Sequence, residues 1–506
     1  MQMNNKRIMR NTVILYFRMI FQMAVYLYTS SLIVSCLGVV DYGIYDVVGS
    51  IVIALMFLNN SMLTCTQRFL SYALGANDNS QLRSNFSHSV FIHFVLGVCV
   101  LLVGGILGSW YIRNYLVIPV ESIPDALFVL YASLASAFIL IISVPYNAAI
   151  IAYEKMDAFA LITILDVLLK LAAVLLLALF DEGRLRLYSF FLVVVAFVVR
   201  GVYGIYCHYA LKELYVVWKF DRSKLREMFN FIGWNTIGNF AIVCNTQGLN
   251  LLLNTVGGPV LNTARGIAVQ VQAATTSFIS SFQTAVNPQI IKSYAQGELC
   301  DMNSLVLRSS RISFMLMMFF VAPLIIETEG LLDLWQKAEV PHYTVQFTRM
   351  LLCVSMIDTI ANPMMVGAAA TGRIKKYQLV IGGCMLCTLP LAYIAVKAGT
   401  SPTMVFVALL FTTLLAQVAR MRLCRGLFGF SAKDFVCDVL LPIIKVSLLC
   451  FVPLFAVKCC FNAGSTGAAT LLSCLLMEIW IAVVVLFLGL AKNERNFVLN
   501  KLHLKK

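Results

Sequence analysis

Charged residues are scarce in this chain of 506 residues. Asp, Glu, Lys and Arg together make up 12% of it, whereas an ordinary soluble domain carries about 25%. Apolar residues make up 60%, and the mean hydropathy is +0.86. No soluble core could bury so much apolar surface, so the composition excludes a soluble globular protein. The apolar residues lie in long blocks, near the roughly 20 residues that a helix needs to cross a bilayer.

Signs of enzyme chemistry are also scarce. The five histidines are scattered along the chain, and the CxxC pair Cys384 and Cys387 has no histidine nearby. We therefore predict neither a metal centre nor a redox site. The sequence contains no GxxxxGK[ST] motif, so we do not expect this chain to hydrolyse ATP. The prediction is a protein that is not an enzyme and uses no cofactor.

Polar breaks divide the apolar sequence into about fourteen blocks of membrane-spanning length. The predicted fold class is therefore an all-α polytopic membrane protein of about fourteen transmembrane helices. The predicted spans, numbered 1 to 14, lie near residues 11–36, 42–66, 87–110, 124–150, 157–180, 186–209, 229–256, 259–286, 304–326, 343–369, 376–396, 402–423, 435–457 and 466–490.

Lysine and arginine are distributed unevenly between the two sides of this topology. With the N-terminus inside, most of them fall in predicted cytoplasmic loops, and few, such as Arg113, Arg184 and Arg186, fall outside. The net charge of +14 thus reflects membrane orientation and does not require a nucleic-acid partner. The basic start runs into a block too long for a signal peptide, so we expect it to remain as span 1. We predict a multi-pass protein of the bacterial inner membrane with both termini in the cytoplasm.

One short phrase occurs twice, as SYALG at 71–75 and as SYAQG at 293–297. Six predicted spans separate the two copies. Because six is an even number, both halves of the chain would have the same orientation in the membrane, as in a parallel repeat. Other pairs at nearly the same offset are Asn11 with Asn235, Thr12 with Thr236, and Pro145 with Pro363.

The duplication predicts two six-helix bundles. We place the N-terminal lobe at 1–210 and the C-terminal lobe at 229–425, joined by a basic cytoplasmic linker at 211–228. Spans 13 and 14 and a basic cytoplasmic tail occupy 426–506, outside the duplication. Two bundles that face each other would enclose a cleft, which is where transporters place their substrate.

Polar residues inside spans 1, 2, 7 and 8 follow one helix face at about 100° per residue. Such residues are costly in lipid unless they face protein or water. We interpret these faces as walls of a water-filled vestibule; the alternative, that amides join helices to one another, stays open. The predicted substrate-binding residues are Arg18, Gln22, Asn60, Asn239, Asn250, Arg265, Gln272 and Gln283.

Charged residues within the spans suggest two further roles. Arg18 and Arg265 share faces with amides and could hold an anionic headgroup such as a pyrophosphate; snorkelling to the membrane surface is the alternative. Asp46, Asp166 and Asp358 are candidates for reversible protonation or Na⁺ binding. Lys170 follows Asp166 by four residues, so these two charges could instead neutralise each other.

Several segments resemble those of bacterial O-antigen and capsule oligosaccharide flippases. They are LGVVDYGIYDVV leading into span 2, RFLSYALG closing it, PYNAAIIAYEKMDAFA between spans 4 and 5, and ATGRIKKYQ between spans 10 and 11. These flippases form the polysaccharide transporter branch of the multidrug/oligosaccharidyl-lipid/polysaccharide exporter superfamily. The resemblance implies alternating access by two six-helix lobes. As cargo it implies an oligosaccharide repeat unit linked through pyrophosphate to undecaprenyl, and as partners the membrane lipids and polysaccharide assembly proteins.

Other transporters and one enzyme class remain as alternatives. A lipid II flippase shares fourteen helices, and only substrate tests separate it. A multidrug antiporter of the same superfamily would bind cationic drugs with carboxylates, whereas Asp46 and Asp358 are matched here by arginines. QRFLSYALGANDNSQLRSN lacks the DRxGR-type signature of major facilitator proteins. A membrane glycosyltransferase or polymerase typically needs a larger outer loop than 327–342. We expect transport driven by an H⁺ or Na⁺ gradient.

Overall fold

The described part of the chain is almost entirely helical and contains no β-strand. Nine helical segments within it are long and apolar enough to cross a membrane. The predicted all-α polytopic membrane fold is therefore confirmed. The computed structural model describes residues 2–55, 57–114, 116, 119–180, 182–217, 221–335, 341–460, 467–491 and 494–496.

Observed helices follow the predicted spans closely. Predicted span 11 is divided between two short helices, and π-helical turns at Val436–Leu440 and Val485–Gly489 adjoin the last two spans. The α-helices are α1 (Gln2–Leu55), α2 (Phe57–Gly75), α3 (Asn79–Asn114), α4 (Ile123–Ala152), α5 (Met156–Leu177), α6 (Arg184–Ala210), α7 (Arg222–Ala295), α8 (Leu299–Ile326), α9 (Thr328–Trp335), α10 (Thr344–Ala370), α11 (Lys375–Leu386), α12 (Thr388–Lys397), α13 (Met404–Phe428), α14 (Ala432–Phe435), α15 (Leu441–Cys460) and α16 (Gly467–Val484).

Two helices, α1 and α7, are far longer than a bilayer is thick, and each is kinked at a glycine. They contain 54 and 74 residues, whereas about 20 residues suffice to span the hydrocarbon. Gly38 interrupts α1 with a φ of 77°, and Gly258 interrupts α7 with a φ of 63°. Only glycine adopts such angles without a steric cost. Each kink separates two predicted spans, so both long helices cover a pair of membrane crossings.

The duplication is visible in the backbone. Residues with positive φ recur at the same turns of both halves, and such angles are uncommon outside glycine. At the turn where α2 and α7 end, Asn77 corresponds to Gly297, which lies 220 residues later. The SYALG and SYAQG phrases are 222 residues apart. The offset of the repeated sequence therefore differs by two residues from the offset of the repeated turn. The pairs are Gly38 with Gly258, Asn77 with Gly297, Glu154 with Gly372, and Gly183 with Gly399.

Two compact units make up the chain, Met1–Thr236 and Ile237–Lys506. We call them lobe 1 and lobe 2. Their boundary lies inside α7, so the predicted linker and the first turns of α7 pack with lobe 1. Each unit has its own apolar core: Leu130 and Leu134 of α4 are fully buried in lobe 1. In lobe 2, the rings of Phe347 and Phe406 meet with centroids 4.5 Å apart.

Specific contacts hold the linker against lobe 1. The backbone N–H of Asp221 donates to Nε2 of the buried His88 over 2.9 Å. Glu227, in the first turns of α7, pairs with the buried guanidinium of Arg68 at 3.7 Å. That guanidinium also lies 4.4 Å from the ring centroid of Phe69. The basic segment is thus anchored to lobe 1 through α2 and α3.

A buried carboxylate joins the end of the chain to lobe 2. Glu494 accepts from Arg308 at 2.5 Å and from Arg311 at 2.9 Å, both in α8. Its other contact is the backbone N–H of Ala491, at 2.9 Å. Glu494 is buried, so this carboxylate is a strong attachment between α8 and the segment that follows α16.

Candidate functional site

Arg18 is the cation of lobe 1 that lies within the polar face of α1. Its guanidinium carbon is 4.7 Å from the centroid of the Phe159 ring of α5, a cation–π contact. Its Nε atom is buried and has no hydrogen-bond partner among the residues that the structure describes. A buried donor without an acceptor costs free energy. The arrangement therefore suits an anionic group that would accept from Arg18.

Two other candidates of lobe 1 lie on the same helices. Gln22, one turn after Arg18, donates from Nε2 to the carbonyl of Thr163 over 3.2 Å, so it joins α1 to α5. Asp166 of α5 forms an ion pair with Lys170 at 2.8 Å. That pair is the neutralising arrangement kept as an alternative above. The structure thus joins Arg18 and Gln22 of α1 to α5 through Phe159 and Thr163, whereas the recorded partner of Asp166 is Lys170 of its own helix.

In lobe 2, the structure brings together two predicted site residues, Arg265 and Asn250. Because α7 turns back at Gly258, its second half lies beside its first half. The Arg265 guanidinium donates to Asn250 Oδ1 at 3.3 Å and to the carbonyl of Thr246 at 3.0 Å. Arg265 is half-buried. Its orientation is therefore set by the protein itself, unlike that of Arg18.

Two glutamines of α7 serve helix packing in this structure. Gln272 donates to Ser355 Oγ of α10 at 2.7 Å. Gln283 is buried and donates to Ser313 Oγ of α8 at 3.1 Å and to the carbonyl of Thr359 at 3.0 Å. Interhelical amide bonds of this kind are common in membrane proteins. A substrate contact by either glutamine stays a prediction.

Asp358 lies in the middle of α10 and is exposed, although most of its helix is buried. Asn362, one turn later, has a buried Oδ1 without a hydrogen-bond partner in the described part of the chain. Two oxygen acceptors thus lie on one face of α10. This pattern suits a monovalent cation or a proton.

Sequence reasoning did not single out a buried arginine of α13. Arg420 lies three residues before the end of predicted span 12, at 423. In the structure α13 continues to Phe428, so Arg420 lies inside the helix and is buried. Its Nε donates to the Tyr377 hydroxyl at 3.2 Å. Gln417, one turn earlier, is a polar signal that could have indicated the buried face.

Some of the predicted residues cannot be placed in a site. The side chains of Asp46 and Asn60 lie outside the described residues, and only their helical backbone is known. Asn239 is half-buried in lobe 2. Cys384 and Cys387 are free thiols. Among the described residues, no group of three His, Cys, Asp or Glu side chains could hold a metal ion.

Comparison with known proteins yields structural neighbours only. No protein-family model matches the sequence, and no curated protein matches it. A MATE structure in the bent conformation superposes with a TM-score of 0.74 at 15% identity, covering 84% of this chain and 95% of that one. A multidrug resistance MATE family transporter of the MOP superfamily, in an outward-facing conformation, gives 0.73 at 15% identity, with coverage of 84% and 95%.

A third neighbour is a MOP superfamily transporter from Pyrococcus furiosus. It superposes with a TM-score of 0.72 at 15% identity and covers 84% of this chain and 95% of that one. The shared architecture thus takes in nearly all of each neighbour and most of this chain. The chain therefore has the multi-pass membrane fold of the MATE transporters of the MOP superfamily.

Proposed function

We propose that this protein moves undecaprenyl-pyrophosphate-linked oligosaccharide units across the bacterial inner membrane for surface polysaccharide synthesis. Alternating access is the mode of transport that the fold supports. The observation that carries the proposal is Arg18, a guanidinium whose buried Nε lacks an acceptor among the described residues. A pyrophosphate offers several charged acceptor oxygens, and arginine binds such groups in a planar, bidentate way.

The charges on the polar helix faces also favour an anionic ligand. Asp166 of α5 is paired with Lys170 of the same helix. Arg18 therefore keeps its positive charge available to a ligand. The Pyrococcus furiosus neighbour is described as having a binding pocket of reverse polarity that suggests a different function. Its example supports the idea that this fold can carry pockets of opposite charge.

A multidrug antiporter is the second candidate, and Asp358 favours it. An exposed carboxylate in the middle of a membrane helix could bind an organic cation. One structural neighbour is a multidrug resistance transporter. In the flippase proposal the same carboxylate takes the coupling ion, H⁺ or Na⁺. We prefer Asp358 to Asp166 for that role because Asp166 already has a lysine partner.

The test is depletion of this protein in its source cell, followed by extraction of lipids. We expect undecaprenyl-pyrophosphate-linked glycan to accumulate while surface polysaccharide disappears. Re-expression of the wild type or of Arg113→Ala should restore export, because Arg113 is exposed at the end of α3. Arg18→Ala should not restore it.

Two results would replace the proposal. Accumulation of lipid II with arrest of cell-wall synthesis would show that the protein transports peptidoglycan precursors instead. Unchanged lipid-linked glycan together with increased sensitivity to cationic drugs would favour the multidrug antiporter. Membrane levels of each variant, measured by immunoblot, separate loss of transport from loss of protein.

A further inference from the structure

One asparagine of α1 is buried without a hydrogen-bond partner for either end of its amide. Asn11 is 1% exposed, and neither its Oδ1 nor its Nδ2 has a partner among the residues that the structure describes. Buried amides in proteins are normally hydrogen-bonded, so each exception needs an explanation. Of the described asparagines and glutamines, Asn11 alone has both amide atoms buried and unpartnered. The side chain therefore has a donor and an acceptor to offer.

Other buried asparagines of lobe 1 do have partners. Asn85 of α3 donates to the carbonyl of Phe69 at 3.1 Å, and Asn235 of α7 donates to the carbonyl of Ser61 at 3.4 Å. Both side chains are buried, and both join helices, as amides commonly do in membrane proteins. Asn11 makes no such bond within the described chain. A polar side chain at this position is therefore explained better by a partner from outside the protein.

Asn11 lies on the same face of α1 as Arg18 and Gln22. They follow it by seven and eleven residues, which at 100° per residue brings each to within about 20° of its direction. Gln22 donates to Thr163, and Arg18 lies over Phe159, so this face of α1 packs on α5. The unpartnered amide and the unpartnered Nε of Arg18 thus follow one line along one helix.

The order of these two side chains along α1 matches the order of groups in a lipid-linked headgroup. Seven residues of helix place Asn11 about 10 Å from Arg18 along the axis. Asn11 is nearer to the N-terminal end of α1, which the predicted topology places at the cytoplasmic surface. In the cargo, the lipid is followed by the pyrophosphate and then by the first sugar, toward the water. With the pyrophosphate at Arg18, the first sugar lies level with Asn11.

A sugar offers the groups that this amide lacks. An asparagine side chain has an acceptor oxygen and an NH₂ donor, and a hydroxyl both donates and accepts. Neighbouring hydroxyls of one sugar ring can therefore satisfy both ends of the amide. Ionised phosphate oxygens are acceptors, so a phosphate would satisfy Nδ2 and leave Oδ1 unpaired. The unpartnered Oδ1 thus favours a sugar over a second phosphate contact.

We propose that Asn11 is a specificity-determining residue that binds the first sugar of the lipid-linked cargo, donating to one hydroxyl and accepting from another. The inference rests on the proposed function and names the part of the cargo that α1 recognises beyond the pyrophosphate. Because Asn11 is covered in this structure, the sugar reaches it only after the surrounding helices move. Until then the unsatisfied amide lowers the stability of the protein, an exchange of stability for binding.

Thermal unfolding of the purified full-length protein in detergent, without ligand, gives the first readout. We expect Asn11→Leu, a change of similar size, to raise the unfolding temperature because it removes two unsatisfied polar atoms. Asn85→Leu, the matched variant of a hydrogen-bonded asparagine, should lower it. Asn11→Ala serves if Asn11→Leu does not fold, and it should destabilise less than Asn85→Ala.

Binding of two probes gives the second readout. They are undecaprenyl pyrophosphate and the lipid-linked glycan purified from the depleted cells. Asn11→Leu should bind undecaprenyl pyrophosphate like wild type but the glycan-bearing lipid about tenfold more weakly, the loss expected when hydrogen bonds are removed. Arg18→Ala should weaken the binding of both probes.

Three results would overturn the assignment of Asn11. Asn11→Leu could lower the unfolding temperature as much as Asn85→Leu, which would show that the amide has a structural role. It could also weaken the binding of both probes equally, or of neither, which would remove the sugar contact while the proposed function stands. If wild-type protein binds neither probe, the proposed function fails as well.

Discussion

Arg18 in lobe 1 and Arg265 in lobe 2 look alike in sequence but differ in the structure. Both are half-buried arginines on a polar helix face. Arg265 donates to Asn250 and to a backbone carbonyl, whereas the Nε of Arg18 has no acceptor among the described residues. The difference teaches that a polar face alone does not mark a ligand contact. What separates the two arginines is the Nε of Arg18, to which a ligand could supply the missing acceptor.

The largest expected effect follows from that contrast. Arg18→Ala should lower transport by about 10- to 100-fold, the range expected when a hydrogen bond to a charged group is lost. Arg265→Ala should cost less, because its main partners are protein groups. Export of lipid-linked glycan in depleted cells is the measurement. Equal losses of transport in Arg18→Ala and Arg265→Ala would show that the two arginines do not differ in function.

Stability sharpens the comparison between one buried ion pair of lobe 2 and one exposed ion pair of lobe 1. Glu494→Ala leaves the guanidinium groups of Arg308 and Arg311 without their carboxylate, and we expect a loss of about 3–5 kcal/mol. Asp125→Ala, which removes the partner of Arg186 at an exposed site of lobe 1, should cost less than about 1 kcal/mol. Thermal unfolding in detergent measures both. A small effect of Glu494→Ala would show that the terminal segment does not anchor to α8.

The kink glycines test whether the lobes are equivalent in their backbones. Gly38→Ala and Gly258→Ala should each destabilise by about 1–2 kcal/mol, because an L-residue pays for positive φ. Neither position crowds an added Cβ, so the two costs should be equal. Gly43→Ala, at a helical position with open space, is the control and should be neutral or stabilising. Clearly unequal costs would mean that the two kinks are held differently.

The smallest effect is expected at the intrahelical pair of α5. Asp166→Asn should cost only about 0.3–0.5 kcal/mol, because Asp166 and Lys170 are a partly exposed i, i+4 pair. Transport should stay near wild type. If Asp166→Asn instead removes the dependence on the ion gradient while the protein remains in the membrane, the coupling ion belongs to lobe 1 and our choice of Asp358 is wrong.

Much of the fold could be predicted because a membrane helix is recognisable from its composition, as a long apolar block. The apolar blocks and their polar breaks correspond to the observed helices, and breaks near 38 and 257 coincide with Gly38 and Gly258. The duplication could also be predicted from the sequence, but the exact offset between its two copies could not. SYALG and SYAQG suggested an offset of 222, whereas Asn77 and Gly297 place the repeated turn at 220. The other positive-φ pairs run down to an offset of 216 at Gly183 and Gly399, so no single offset relates the two halves.

The candidate site was less predictable. Gln272 and Gln283 lie on a polar face as expected, but their amides join helices within lobe 2. Arg420 was not selected as a site residue, since it lies near the cytoplasmic end of predicted span 12. Its partner Tyr377 is on another helix, 43 residues earlier. No local pattern reveals such a pair, because the pairing depends on which helices pack together.

By itself the sequence determined that this chain is a duplicated bundle of membrane helices, since hydrocarbon admits only long apolar helices and cytoplasmic loops retain the positive charge. It also determined which side chains are polar inside those helices. Tertiary structure alone decided which of them meet one another. Asn250 satisfies Arg265, and Lys170 neutralises Asp166. Arg18 rests on the Phe159 ring with its Nε left without an acceptor among the described residues, and Asp358 makes no ion pair within 4.0 Å in the same part of the chain.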